Sequence, residues 1–212
     1  MPNWCYSSYV FYSEEADEGE LARLHRTIVE IMQKPSDVEN GFEPGWLGKV
    51  AIAHGFDWEK IPCRGKITHI DDYTGLCSSF KLETETAWAP MDELWEAVVS
   101  RYKGVSFVYL SEESGMGIFV NTDCTGRFFP ERFLLEVCLE DFVPDGWCVD
   151  CETESTCLDV REHFCGFVGL QTRFTELTDR KFDNIEDMQR YLNDVVEGCE
   201  HGHGCVYEYS FE

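Results

Sequence analysis

Basic residues are scarce in this chain of 212 residues. Lys and Arg number 17 against 41 Asp and Glu, which gives a formal net charge of −24 at pH 7. A protein with this charge repels the phosphates of nucleic acids and the anionic surfaces of membranes. The composition therefore argues against direct binding of DNA or RNA and against membrane association. It favours a protein partner, one that is basic or itself binds nucleic acid.

Long apolar runs are missing as well. The sequence has no stretch of about 18 apolar residues that could form a membrane-spanning helix. The N-terminal residues also lack the basic and then apolar segments of a signal peptide. The sequence thus predicts a cytoplasmic protein.

The acidic residues are not gathered in a tail. Residues 1–50, 51–100 and 101–150 each carry nine Asp or Glu, and the remaining residues carry fourteen. This even spread places the charge on the folded surface. Two interpretations stay open: the charge keeps the protein soluble, or an acidic face imitates a polyanion and meets a basic partner.

Cysteine is abundant, at 11 residues, but the number is odd. A chain of this length can bury an ordinary core without disulfide bridges. We therefore expect most of the thiols to be reduced and buried, where Cys behaves as a small hydrophobe.

Apolar spacing in the N-terminal half predicts alternating helices and strands. The order is βαββαββ, which indicates an α+β protein with a ferredoxin-like antiparallel sheet and two helices on one face. The predicted strands cover residues 4–12, 66–71, 77–88, 105–110 and 115–121, the helices cover 21–32 and 90–102, and a short helix lies around 46–54.

One predicted strand shows the alternation most clearly. Phe80, Leu82, Thr84, Thr86 and Trp88 alternate with charged residues at 81, 83 and 85. Because successive side chains of a strand point to opposite faces, the first set should be buried and the second exposed. A tight turn is predicted at Gly115-Met116-Gly117, because no helix follows these glycines.

The C-terminal part has a different pattern. It predicts strands at 132–140, 147–156, 164–174 and 206–211, with one helix that Asn184 caps. We predict a ferredoxin-like domain over 1–130 and a β-rich segment with one helix over 131–212, packed on the first domain.

Several stretches of the first part occur together in a known family. They are Met1-Pro2-Asn3-Trp4-Cys5, Thr86-Ala87-Trp88-Ala89-Pro90, and Arg101-Tyr102 followed by Glu112-Glu113-Ser114-Gly115-Met116-Gly117. In these motifs the chain resembles the YubB-like ferredoxin-like domain family of phage- and plasmid-encoded proteins, a domain of unknown function. The resemblance implies the ferredoxin-like fold and a link to mobile elements, and it implies no substrate, cofactor or catalytic residue.

This family usually carries a Trp-Gly-Thr-Lys-Trp-like stretch ahead of the Thr-Ala-Trp strand. Here the sequence at that place is Ile70-Asp71-Asp72-Tyr73-Thr74-Gly75. The resemblance therefore does not support a functional site shared with the family in this stretch.

Cys and His residues gather towards the C-terminus. A tetrahedral zinc site needs four such ligands, often as two chelating pairs. The alternative hypothesis for the whole chain is accordingly a small zinc-dependent or thiol enzyme, in which any four of the following residues hold the metal: Cys148, Cys151, Cys199, His201, His203 and Cys205. The leading expectation is that no cofactor is bound and that these thiols are structural.

Other candidate sites are weaker. Cys165 lies two residues from His163, but nucleophilic catalysis also needs an orienting group and an oxyanion site, and the sequence indicates neither. Trp46, Trp58 and Trp147 lie in loop-like regions, where we expect them to fill small satellite cores rather than to meet a partner.

The sequence as a whole favours a non-enzymatic interaction or regulatory protein associated with mobile elements. In the sharper form of this hypothesis, a carboxylate face imitates nucleic acid. No assembled catalytic set is visible in the sequence. The partner's identity and the oligomeric state stay open.

Overall fold

A computed structural model describes residues 3–14, 18–39, 41–74, 77–139, 158–197 and 202–211. Contacts within the chain divide it into two compact units, Met1–Cys124 with Phe211–Glu212, and Thr125–Ser210. The fold is α+β, as predicted, with two antiparallel sheets. The longest helix of the described chain has 16 residues, and none of the described helices could cross a lipid bilayer.

The first unit is built on a five-stranded antiparallel sheet with the strand order β2-β3-β1-β4-β5. The first four strands and the helices between them have the ferredoxin-like order. The elements are β1 (Trp4–Ser13), α1 (Glu18–Gln33), α2 (Leu47–Ala53), β2 (Gly65–Ile70), β3 (Ser79–Ala87), α3 (Asp92–Val99), β4 (Val105–Glu113) and β5 (Ile118–Asn121).

The helices pack on one face of this sheet. Tyr9 and Phe11 alternate along β1 and are fully buried, and their rings lie 5.6 and 5.2 Å from the ring of Trp95 in α3. The apolar stripe of α1, which includes Leu24 and Ile28, belongs to the same core. Alternation along the strands therefore creates a helix-facing side and an open side of the sheet.

The connection between α1 and β2 is anchored on the edge strand. The Ile67 N–H donates to the carbonyl oxygen of Gly45 at 2.8 Å. The ammonium group of Lys49, which is buried, donates to the carbonyl oxygens of Lys34 and Pro44 at 2.7 and 2.5 Å and to a carboxylate oxygen of Glu43 at 3.0 Å. The buried Lys49 side chain thus links the two ends of the segment 34–44.

The second unit has a three-stranded antiparallel sheet with the order β7-β6-β8. Two helices bury Phe174, Met188 and Leu192 against Leu135 and Val137 of the central strand. The elements are β6 (Phe133–Leu139), β7 (Leu158–Phe164), α4 (Phe167–Thr178), α5 (Ile185–Val196) and β8 (His203–Glu208).

The C-terminal predictions missed the strand β7, need two further corrections and leave one strand untested. The strand predicted over 164–174 is wrong, because α4 begins at Phe167, and the segment therefore has two helices instead of one. Leu170, Phe174 and Thr178 are buried at helical spacing, a period that the aromatic content of the stretch obscures. The last strand begins at His203 rather than at residue 206. The strand predicted over 147–156 lies outside the described residues.

The predicted cap of α5 is confirmed. The side chain of Asn184 accepts a hydrogen bond from the N–H of Asp187 at 2.8 Å, as an N-cap residue does. The turn predicted at Gly115-Met116-Gly117 is confirmed as well, between β4 and β5.

Candidate functional site

Three stretches that are distant in sequence meet at one end of the first sheet. Cys5 of β1 lies opposite Thr86 of β3, and Tyr6 lies opposite Glu112 of β4. The N–H of Trp88 donates to the carbonyl oxygen of Asn3 at 2.9 Å. Residues 3–5, 86–90 and 112–117 of the motifs that carry the family resemblance therefore lie close together, whereas Arg101 and Tyr102 lie after α3, next to Phe56 and His54.

Small polar side chains support this end of the sheet on its helix-facing side. The hydroxyl of Ser111 donates to the hydroxyl oxygen of Ser7 at 2.7 Å, and both residues are buried. The thiol of Cys5 lies 3.7 Å from the same Ser7 oxygen. Burial raises the pKa of the Cys5 thiol, so Cys5 stays protonated and shielded from reactants. These groups stabilise the fold rather than react.

The turn after β4 is fixed by a buried carboxylate. Glu113 is 3% exposed, and its two oxygens accept hydrogen bonds from the N–H groups of Gly115 and Met116 at 2.8 and 2.6 Å. A Cβ atom at Gly115 would lie only 2.2 Å from the side-chain nitrogen of Asn3, so only glycine fits against Asn3 without a shift. The turn thereby presents Met116 to solvent.

Trp88 has a backbone conformation that large residues avoid. Its φ is +76°, which lies in the left-handed region and costs about 1–3 kcal/mol for a residue other than glycine. The loop around it is held on both sides: the hydroxyl of Thr86 donates to the carbonyl oxygen of Ala89 at 2.8 Å, and the N–H of Met91 donates to the hydroxyl of Tyr9 at 3.2 Å. Strained residues that are held so firmly are concentrated at functional sites.

The prediction that Trp88 is buried with the other alternating residues of its strand is wrong. Phe80, Leu82, Thr84 and Thr86 are buried, as predicted, but Trp88 is 42% exposed. The strand ends at Ala87, and the left-handed backbone at Trp88 interrupts the alternation.

Exposed apolar side chains are concentrated at this end of the sheet. Tyr6, Trp88 and Met116 are 59, 42 and 59% exposed, and they are three of the six large hydrophobic residues that are exposed in the described part of the chain. Tyr, Trp and Met are typical of protein interfaces. We call these three residues the apolar patch.

The sequence analysis missed the apolar patch and considered other aromatics. Trp46 is buried, and its ring packs edge-on against that of Trp58 at 5.3 Å. Both rings therefore contribute to packing, as expected, whereas Trp147 lies outside the described residues. Trp88 itself carried no signal of its exposure, because it continues the alternation of residues 80, 82, 84 and 86.

The residues of the zinc hypothesis are described only in part. Cys148, Cys151, Cys199 and His201 lie outside the described residues. His203 and Cys205 lie two residues apart on β8, opposite Cys138 and Glu136 of β6. Among the residues that the structure describes, no group of three or more His, Cys, Asp or Glu could hold a metal ion. The zinc hypothesis thus stays a prediction.

The thiol candidate is placed near the end of β7. Cys165 is exposed just after the strand, and the ring of His163 stacks on that of Tyr209 with a centroid distance of 6.3 Å.

Comparison with known proteins gives no relative. No family model, no curated protein and no solved structure matches this chain. The resemblance to the YubB-like ferredoxin-like domain family over residues 1–130 therefore stays a prediction.

Proposed function

We propose that this protein is a non-enzymatic interaction protein that binds a protein partner through the apolar patch of its ferredoxin-like unit. The strained and exposed Trp88 is the observation that carries the proposal. A bulky residue at φ +76° costs free energy, and the fold leaves 42% of Trp88 exposed. Binding a partner through that ring would explain why the sequence keeps it.

The surroundings of Trp88 support the same function. Asn3 bonds to the Trp88 backbone and packs against Gly115, so the loop and the turn are held as one rigid surface. Rigid surfaces lose little conformational entropy when they bind. Exposed aromatic and Met side chains on such a surface are well suited to a binding site.

The resemblance to phage- and plasmid-encoded proteins is the basis for proposing a biological context for this function. We propose a regulatory partner that belongs to a mobile element or to its host. The net charge of −24 is consistent with a basic or nucleic-acid-binding partner, and in the sharper form of the proposal the protein occupies the nucleic-acid groove of that partner.

Affinity capture from host lysate tests the proposal with matched variants. The patch variant carries Tyr6→Ser and Met116→Ser, and the control carries Ile52→Ser, which removes an exposed apolar group from α2. We expect wild type and the Ile52 control to capture the same partner and the patch variant to lose it. Capture of the same proteins by all three would refute binding through the patch.

Competition with DNA separates the two forms of the proposal. If the captured partner is a nucleic-acid-binding protein whose groove is occupied, added duplex DNA should release it in moderate salt. A partner that DNA does not release would exclude mimicry and would leave the proposal of a protein interaction intact.

A further inference from the structure

Two groups of exposed or half-buried carboxylates near the apolar patch differ in their partners. On the open face of the sheet, Glu85 pairs with Lys66 at 2.9 Å, and Glu83 pairs with Lys81 at 2.8 Å. Their charge is thus largely compensated within the fold. This part of the open face is not a strongly acidic surface, although the chain as a whole is acidic.

The acidic residues of α3 are different. Asp92, Glu93 and Glu96 begin four residues after Trp88, and Glu93 and Glu96 are exposed. Within the described part of the chain, these three carboxylates form no ion pair or side-chain hydrogen bond. Residues three or four apart lie on the same side of a helix, so the three charges form one uncompensated rim next to the Trp88 loop.

A stabilising effect on the helix explains the presence of only some of these acidic residues. Asp92 and Glu93 lie in the first turn, where negative charge interacts favourably with the helix dipole. Glu96 lies beyond that turn, and its charge gains little from the dipole. Its position next to two other carboxylates costs repulsion that no described cation relieves.

We propose that the apolar patch and the α3 carboxylates together bind a basic segment of a protein partner. This inference rests on the proposed function and adds the chemistry of the partner. Apolar groups and the aliphatic stems of Lys or Arg would cover Trp88 and Met116, and the cationic ends would reach Asp92, Glu93 and Glu96. Cations also interact favourably with the faces of Trp and Tyr rings. The overall charge of −24 would speed the encounter with such a partner.

A synthetic peptide can test this partner chemistry. The probe is a fluorescent 12-residue peptide, chosen here as alternating Lys and Leu, and its binding to the full-length protein is followed by anisotropy. The test variant is Asp92→Asn, Glu93→Gln, Glu96→Gln. The control is Glu186→Gln, Asp194→Asn, Glu197→Gln on α5 and at its C-cap, which removes the same number of charges from the second unit.

We expect the α3 variant to bind the peptide about tenfold more weakly, which corresponds to about 1.4 kcal/mol, and the α5 control to bind almost as wild type does. The single variant Glu96→Gln keeps the acidic first turn of α3, so it should show part of the loss without affecting folding. Equal losses in the α3 variant and the α5 control would overturn the inference, because net charge alone would then attract the peptide.

The two proposals fail in different ways. If the patch variant loses its partner in lysate while the α3 variant keeps both partner and peptide, the patch binds a partner that is not basic, and this inference is overturned. If the α3 variant loses the peptide and the patch variant binds it as wild type does, the carboxylates act without the patch, and the joint surface is overturned.

Discussion

The Nε2 atom of His54 lies 2.8 Å from the hydroxyl oxygen of Tyr102. The Nδ1 atom lies 2.7 Å from the carbonyl oxygen of Val50, which can only accept, so Nδ1 carries the proton and Nε2 accepts from the Tyr102 hydroxyl. The guanidinium of Arg23 covers the Tyr102 ring at 4.2 Å. The end of α2 is thus joined to the residues after α3 by a hydrogen bond that the neutral imidazole of His54 accepts.

This hydrogen bond predicts a pH dependence of stability. Burial lowers the pKa of His54, and the positive charges of Arg23 and Arg101 lower it further. In the unfolded chain the pKa of His54 is about 6.5, so the unfolded state binds the proton first as pH falls. The stabilisation from neutral His54 is complete above about pH 6.5 and is lost as the pH falls through the lower pKa of the folded state.

Urea unfolding of wild type and His54→Gln at pH 7.5 and 5.5 measures the effect. We expect the stability difference between the two proteins to be smaller at pH 5.5, because the glutamine does not titrate. A difference that stays constant over this range would show that His54 has an ordinary pKa in the folded state.

Lys49 gives a prediction about stability alone. Replacement by Met leaves the carbonyl oxygens of Lys34 and Pro44 and the Glu43 carboxylate without their shared donor. Because hydrogen bonds to a charged group contribute about 1.5–3 kcal/mol, we expect Lys49→Met to lower the free energy of unfolding by about 2 kcal/mol. The measurement is a urea midpoint, with Lys60→Met as the control, because Lys60 is 83% exposed in its ion pair with Asp57. Equal effects of the two substitutions would contradict the anchoring role of Lys49.

The sequence predicts the first sheet well because its strands are amphipathic. The burial of Phe80, Leu82, Thr84 and Thr86 follows directly from their alternation with charged residues. The prediction fails at Trp88 because a left-handed φ is a backbone property that no side-chain period records. The part of the candidate site that depends on this residue was therefore out of reach.

Register is the second property that the sequence does not contain. Tyr6 belongs to a correctly predicted strand, yet its neighbours on the adjacent strands, Glu85 and Glu112, lie about 80 and 106 positions further along the sequence.

The helix α4 could not be distinguished from a strand by composition. Phe167, Leu170 and Phe174 suit a helix or a strand equally, and packing in the second unit decides between them.

Thiol labelling distinguishes structural cysteines from accessible ones. Burial raises the pKa of the Cys5 and Cys63 thiols, and both are buried, whereas Cys77, Cys124 and Cys165 are exposed. Since the thiolate is the reactive form, iodoacetamide at pH 7.5 should label the exposed group at least about tenfold faster than the buried pair. Peptide mapping by mass spectrometry gives the rate at each site, and denaturant should remove the difference.

The same experiment bears on the alternative of a thiol enzyme. We expect Cys165 to react no faster than Cys77 or Cys124, because no described contact joins its thiol to His163 and all three thiols are exposed. Labelling of Cys165 far ahead of the other exposed thiols would indicate an activated nucleophile and would favour the enzyme hypothesis.

Trp88 allows stability to be separated from binding. Substitution by Gly removes the indole ring and also the strain of φ +76°, whereas substitution by Ala removes the ring and keeps a Cβ in the left-handed region. Both variants lose the same ring contacts, so their difference reports the backbone. We expect Trp88→Gly to be about 1 kcal/mol more stable than Trp88→Ala, since the left-handed conformation costs an L-residue about 1–2 kcal/mol and this gain is partly offset by the flexibility of Gly when unfolded.

Thermal unfolding and partner capture are then compared for the two Trp88 variants. If the ring binds the partner, both variants lose capture although they differ in stability, and the loss cannot come from unfolding. Equal stability of the two variants would contradict the strain at Trp88. Full capture by either variant would show that the strained loop serves the fold, because the exposed indole would then have no part in binding.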